Sequence, residues 1–300
     1  MDLNFSSQRR HLQSHTTTLT KIPISILDLQ FSTSPRHSTK PQQPESPPRI
    51  IQTMSNSKKR AAAPDQDGER KKKKKKSAYT VDETLLNEEL GINESFAVMD
   101  NQLLADYTAQ KLARFATDLS PVEISDLSLS ANAIKDTTSW TEPRSTDKLA
   151  AFLEKFAEKP EKLPTAPEKK GTPHTIIVAG AGLRAADIVR AVRGFQTKKS
   201  TVAKLFAKHM KVEEQVKFLQ GTRTGIAVGT PARLMELADN GALCLDKVQR
   251  VVVDASHIDS KKRGVMDMKD TMMPLARWLS RKELKERYMD DKRHLDLVFF

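Results

Sequence analysis

Residues 224–257 read TGIAVGTPARLMELADNGALCLDKVQRVVVDASH, and this stretch decides the fold. Ile226-Ala227-Val228 is a short apolar run, the length of a strand covered on both faces. It runs through Gly229-Thr230-Pro231-Ala232-Arg233 into a helix. Thr230 suits the N-cap, and Pro231 suits the first helical position, where a missing N–H costs nothing. Leu234, Met235, Leu237 and Ala238 form an apolar face, and Asn240-Gly241 stops the helix. Val248 and Val251-Val252-Val253 make the next strand, which ends at Asp254-Ala255-Ser256-His257. Strand, helix, strand is a right-handed crossover unit, so its two strands are expected parallel in an α/β sheet. Function in such sheets gathers at the carboxyl ends of the strands, where both Gly229-Thr230-Pro231 and the Asp254 loop fall.

Outward from there, the sheet domain spans 173–300. Thr175-Ile176-Ile177-Val178-Ala179 is its opening strand, and Gly180-Ala181-Gly182 turns into a helix carrying Ile188, Val189, Val192 and Phe195. A strand over 201–206, a helix over 212–219 and the opening unit follow. Beyond His257, a polar loop over 259–264 leads to a helix through Met272, Met273, Leu275, Ala276 and Leu279. A charged segment, 281–293, precedes a last strand over 295–300. Upstream, 81–172 is a helical preface. Leu103, Leu104, Tyr107, Leu112, Phe115 and Leu119 recur at helical spacing until Ser120-Pro121 ends the pattern. Leu149, Phe152, Leu153 and Phe156 mark a second helix, and the Lys/Pro-rich stretch 158–173 reads as a linker.

Residues 1–80 read as a disordered basic tail, rich in Ser, Thr, Pro, Lys and Arg without burial periodicity. Within it, Lys58, Lys59 and Arg60, then Arg70 and Lys71, Lys72, Lys73, Lys74, Lys75 and Lys76, match a bipartite nuclear import signal for an acidic import receptor. A solvated tail without an address is the competing reading. The first 53 residues, poor in acids, superficially resemble a transit peptide, or form an extension ahead of Met54. Net charge is +12 with pI near 9.6, which favours an anionic partner, nucleic acid before membrane. The lone Cys244 excludes an intramolecular disulfide and a multi-cysteine zinc site. No apolar run approaches the roughly 20 residues a membrane span needs.

In this order the residues resemble the first lobe of a DEAD-box helicase. Gly229-Thr230-Pro231-Ala232-Arg233 is similar to the family's Thr-Pro-Gly-Arg motif, with Ala232 in place of glycine. Asp254-Ala255-Ser256-His257 stands where Asp-Glu-Ala-Asp belongs, and Arg184 matches the arginine of Pro-Thr-Arg-Glu. The string from Asp254 through Lys261, Lys262, Arg263 and Gly264 to Thr271 resembles the Cms-one family more closely. These are degenerate relatives of the helicases, named for complementation of an mcm-ten suppressor. That resemblance implies a single RecA-like parallel-sheet lobe of degenerate P-loop-NTPase-like topology. It also implies a nuclear or nucleolar protein of the small-subunit processome, without demonstrated catalysis.

The residues themselves speak against ATP hydrolysis. No glycine in the chain is followed by lysine, so the phosphate-binding loop is missing, and Ala255 replaces the acidic residue that orients water. A second lobe with an arginine finger would need residues beyond Phe300. A dinucleotide at Gly180-Ala181-Gly182 lacks the acidic ribose partner about 20 residues on, where Lys198 and Lys199 stand. Ser256 and His257 leave a strand in different directions and form no triad, and Asp254, His257 and Asp259 match no metal spacing. Asp254 and His257 are expected to bond within their own loop. The expectation is therefore a protein that is not an enzyme and takes no cofactor or metal.

For RNA, the amino terminus of the helix at Thr230 favours an anion. Arg184 and Arg233 would add charge-assisted contacts, and Lys261, Lys262 and Arg263 would extend the surface. Without aromatics in these loops, contact would be to the backbone and blind to sequence. The expected partners are pre-ribosomal RNA and processome proteins, with no membrane. A pure protein-interaction scaffold and, behind it, a nucleotide-cofactor enzyme remain the alternatives.

Overall fold

The computed structural model describes residues 83–207 and 210–300. The import signal and the 1–53 extension lie outside the described residues. The described chain opens with a small antiparallel hairpin, β1 (Leu86–Asn87) and β2 (Ile92–Asn93), and a short helix α1 (Ser95–Val98). Helices α2 (Asn101–Phe115), α3 (Pro121–Leu127) and α4 (Leu149–Phe156) follow. The sheet then begins with β3 (Thr175–Val178), α5 (Gly182–Ala191), β4 (Thr201–Leu205), α6 (Val212–Gly221) and β5 (Thr224–Gly229). It continues with α7 (Pro231–Asp239), β6 (Arg250–Val253), α8 (Lys269–Leu279), α9 (Lys282–Lys285) and β7 (Asp296–Phe299).

Strands β3 to β7 form one parallel sheet in the order β4-β5-β3-β6-β7. The expected single RecA-like lobe is thus present as an α/β layer. The two strands of the opening unit, β5 and β6, are parallel but not adjacent, because β3 lies between them. The apolar runs are continuous because both faces are covered. Ile176 and Val178 face one cluster, with Val251, Val253, Leu297 and Phe299 and helices α2, α7 and α8. The alternate residues Ile177, Val252, Val298 and Phe300 face the other, with α4 and α5. Each such buried side chain contributes roughly 1.5–3 kcal/mol.

The preface packs into these same two clusters. Leu104 and Leu112 of α2 are buried against the α8 side, and Lys111 pairs with Asp267 just before α8. Asp100 caps α2 by accepting from the Leu103 N–H at 2.8 Å, and Ser120 and Glu123 close a capping box on α3. On the opposite face, Phe152 of α4 stacks edge-on against Trp140 and Phe300, with ring centroids at 5.4 and 4.8 Å. The stretch expected as a linker is also packed. Arg223 donates to the Pro167 and Ala166 carbonyls, and His174 and Ser200 bond the Thr165 carbonyl, while Leu163 is buried. Lysine and proline content predicts solvation, but here long-range donors capture the segment's main-chain carbonyls.

Candidate functional site: the carboxyl ends of the strands

Five strand ends converge where a nucleotide would sit in a lobe of this kind. At the end of β6, Asp254 is 2% exposed and points at the start of α5, away from its own loop. Arg184 donates from Nε to Oδ2 at 2.8 Å and from Nη2 to Oδ1 at 2.7 Å, and its Nη1 bonds the Thr146 hydroxyl. This corrects the expectation that Asp254 bonds locally. A buried carboxylate needs a full-charge partner, and its loop supplies none. Burial works against the guanidinium charge, but Asp254 more than offsets it and holds Arg184 above its ordinary range. A cation of the protein itself therefore occupies both oxygens of this carboxylate. Among the described residues, no cluster of three His, Cys, Asp or Glu is arranged to hold a metal ion.

The loop after Asp254 is sealed by the chain. The Ala255 and Ser256 N–H groups both donate to the Phe300 carbonyl at 2.8 Å. The hairpin closes the other side, with the Asn93 N–H donating to the Ser256 carbonyl at 2.7 Å and the Ile258 N–H to the Gly91 carbonyl at 2.9 Å. Gly91 reaches that position with φ +63, where a side chain would be strained. His257 bridges to Ile92, and burial first, then the Arg184 charge, holds its imidazole below the usual range. Along the outer edge of β7, Ile134 bridges Leu297, and the Lys135 N–H donates to the Leu297 carbonyl at 2.8 Å. Arg144 reaches over the end of the same strand to the Phe299 carbonyl at 2.5 Å and to Thr137, and burial lowers its pKa to about 10. Phe299, Phe300, Ala255 and the hairpin leave this end of the sheet filled by the chain.

The candidate RNA surface is reduced by the same packing. Arg233 is 8% exposed, donating to Gln215 Oε1 at 2.8 Å and the Met210 carbonyl at 3.2 Å, and pairing with Glu236. Arg184 and Arg233 thus serve the interior: Arg184 anchors the start of α5 to the end of β6, and Arg233 ties α7 to α6 and the segment before it, which a motif match does not reveal. Thr230 stands at the N-cap of α7, half-buried, and its hydroxyl makes no capping bond. Gly229 is required there, because a Cβ would meet the Leu205 carbonyl at 2.5 Å. Lys261, Lys262 and Arg263 are exposed on a loop shaped by Asp259, which accepts from two loop N–H groups and from the Arg263 guanidinium. Lys262 pairs with Glu88. With β3 between β5 and β6, this loop and Thr230 leave the sheet two strand spacings apart, about 10 Å.

Charge is distributed unevenly. Residues 83–300 carry 34 Lys and Arg against 31 Asp and Glu, and residues 1–82 carry 16 against 7. Nine of the twelve net positive charges therefore precede the described residues. Sequence reading missed Arg144 and Thr146, since nothing in their neighbourhood marks a partner elsewhere in the chain.

A family model described as CMS1, U3-containing 90S pre-ribosomal complex subunit, matches residues 49–300. The protein CMS1 of Chaetomium thermophilum is 59% identical over 219 residues, which cover 73% of this chain and 87% of that protein. The Schizosaccharomyces pombe protein cms1 is 24% identical over 204 residues, covering 68% of this chain and 72% of that one. Among solved structures, the ADP-bound RNA helicase Prp28 of Chaetomium thermophilum is similar at 16% identity and a TM-score of 0.34. That match covers 78% of this chain, which spans about half of the helicase's length.

Proposed function

The chain belongs to the CMS1 family of U3-containing 90S pre-ribosomal complex subunits, and from that membership we propose a non-catalytic nuclear and nucleolar factor in small-subunit ribosome assembly. Its lobe is a scaffold closed to nucleoside triphosphates, and its basic tail and surface loops meet pre-ribosomal RNA and processome proteins. One observation carries the non-catalytic part: Arg184 occupies both oxygens of Asp254. Phosphoryl transfer needs that carboxylate for the metal and a glycine-rich loop for the phosphates. Here the carboxylate is spent, and no Gly-Lys pair exists in the chain. Calorimetry of the full chain with ATP and magnesium is expected to show no saturable binding, and a phosphate-release assay no turnover. Turnover that disappears in Asp254→Asn would overturn this reading.

The near balance of charge over 83–300 favours a second reading, a scaffold that touches proteins only, with RNA affinity confined to the tail. The two differ in salt-dependent binding of a uridine oligonucleotide. Deleting 58–76 from the full chain removes nearly all affinity on the scaffold reading. On the proposed one it leaves a residual, salt-sensitive component that Lys261→Glu weakens further. The same deletion is expected to shift a fluorescently tagged protein from nucleus to cytoplasm, as the import signal requires.

A further inference from the structure

We propose that the opposite end of the sheet, at the amino ends of β3, β6 and β7, is a phosphate-binding basin that takes the backbone of RNA. Thr175, Arg250 and Asp296 lie side by side on the first rung of those strands. Arg250 and Asp296 open on a hollow of about 680 Å³ lined by eight Lys and Arg against four Asp and Glu. That local excess of four compares with +3 over the whole of 83–300, so positive charge gathers at the basin against a nearly balanced body.

Two buried guanidinium groups give the basin its character. Arg250 is 5% exposed, its Nε has no partner, and its Nη1 reaches only the Thr175 hydroxyl at 3.4 Å. Asp296, its neighbour on the rung, is engaged by Lys135 at 2.9 Å and by His294 at 3.4 Å. Arg287 is 8% exposed and directs its donors to the carbonyls of Arg293, Leu245 and Val248, with no carboxylate among its hydrogen-bond partners, although Asp246 and Asp290 lie near enough to favour its charge. Burying a cation without a counter-ion is costly, and a bound anion relieves the cost. Burial lowers the pKa of both groups, and the carboxylates nearby, Asp296 and Glu158 for Arg250 and Asp246 and Asp290 for Arg287, offset it only in part.

The lining selects the kind of anion. Lys159, Lys247 and Lys292 are exposed at the rim, on three separate segments, so the positive field follows a path. No Phe, Tyr or Trp lines the hollow, and Leu163 is its sole aliphatic side chain, so it offers no seat for the apolar anchors of a peptide. A string of phosphates needs only the charges. The inference rests on the reading that this protein meets RNA, and the test separates the two.

The full chain is titrated against a fluorescent uridine 20-mer, wild type beside Lys159→Glu/Lys247→Glu/Lys292→Glu. A charge-matched control carries Lys198→Glu/Lys199→Glu/Lys217→Glu, which are exposed and outside the basin. The basin variant is expected to bind about tenfold more weakly and to lower the salt slope by about two. The control should stay within about twofold of wild type on the same counterion-release argument. Equal losses in both, or none in either, overturn the RNA assignment. In a second arm, inorganic pyrophosphate is expected to raise the melting temperature of wild type but not of the basin variant or Arg250→Gln. No rise in wild type overturns the site itself. A basin-dependent rise in a chain that binds no RNA upholds the phosphate site and overturns the RNA reading. Displacement of the oligonucleotide by polyglutamate as readily as by unlabelled RNA overturns it in favour of an acidic protein segment.

Discussion

Arg184 and Asp254 face each other across the carboxyl ends of β3 and β6 as a two-pronged ion pair, with contacts of 2.8 and 2.7 Å and both side chains nine-tenths or more buried. The aspartate closes β6, and the arginine comes from the first turn of α5, which follows the neighbouring strand β3. Together they clamp the start of α5 to the end of β6.

Breaking that pair from one side leaves a charge in a closed space. Arg184→Ala is expected to lower unfolding free energy by about 3–5 kcal/mol. Arg184→Lys recovers little, because an ammonium cannot reproduce the two parallel bonds. Arg184→Met with Asp254→Leu is expected to regain most of the loss, since neither charge is then stranded. Urea denaturation of these proteins, together with the single variants Arg184→Met and Asp254→Leu, measures this. Additive losses in the single and double variants would show that the two side chains are not coupled.

Much of this architecture is legible in the chain. Apolar runs at 175–179, 226–228 and 251–253, each followed by a turn and a helical period, predict parallel strands, and the sheet contains them. The partner of Arg184 was not legible. A residue 70 positions away leaves no local trace, and resemblance to a motif suggested an outward role. The same holds for 158–172, whose Lys and Pro content reads as solvated until Arg223 and His174 are seen holding its carbonyls. Charge alone predicts an exposed side chain, yet Arg144, Arg184, Arg233, Arg250 and Arg287 are all buried, each with hydrogen-bond partners distant in sequence.

Gly229 ends β5 with the Leu205 carbonyl and the Leu234 side chain close behind it. A methyl group would sit 2.5 Å from that carbonyl oxygen and 2.7 Å from Leu234 Cδ2, and the carbonyl belongs to a neighbouring strand that cannot swing aside. Gly229→Ala is expected to cost about 1–3 kcal/mol, the range for overpacking, read as a fall in melting temperature. Gly194→Ala, with nothing near the added atom, serves as the comparison and should be close to neutral.

Acidification should weaken the fold before the carboxylates titrate. His174 and His257 are held below the ordinary imidazole value of 6.5, chiefly by burial, and further by Arg250 and Arg184 respectively. Because the folded values lie below the unfolded one, the unfolded chain takes up more protons as pH drops past about 6.5. Stability is therefore full above that pH and is lost as pH falls through the folded values. Urea midpoints at pH 7.5, 6.5 and 5.5 are expected to decline, and His174→Gln with His257→Gln should flatten the decline. A midpoint that rises toward pH 5.5 would contradict it.

The helical preface packs into the hydrophobic clusters on both faces of the sheet, so preface and sheet are expected to unfold together. Lys111 of α2 is 7% exposed, pairs with Asp267, and lies 5.0 Å from the Tyr107 ring centre. Asp267 in turn accepts the Gly264 N–H at 2.7 Å, fixing the loop that leads to α8. Removing the lysine strands a partly buried carboxylate and frees the helix from the loop it orders. Lys111→Ala is expected to cost about 2 kcal/mol, less than a fully buried pair because Asp267 keeps some contact with water. Fluorescence should report this in both tryptophans at once, since Trp140 belongs to the preface and Trp278 to α8. Single-tryptophan variants made by Trp→Phe at the other position are expected to give coincident urea transitions, displaced together by Lys111→Ala. Separate midpoints for Trp140 and Trp278 would show that the preface is an independent unit, and Lys111 would then move only the nearer transition.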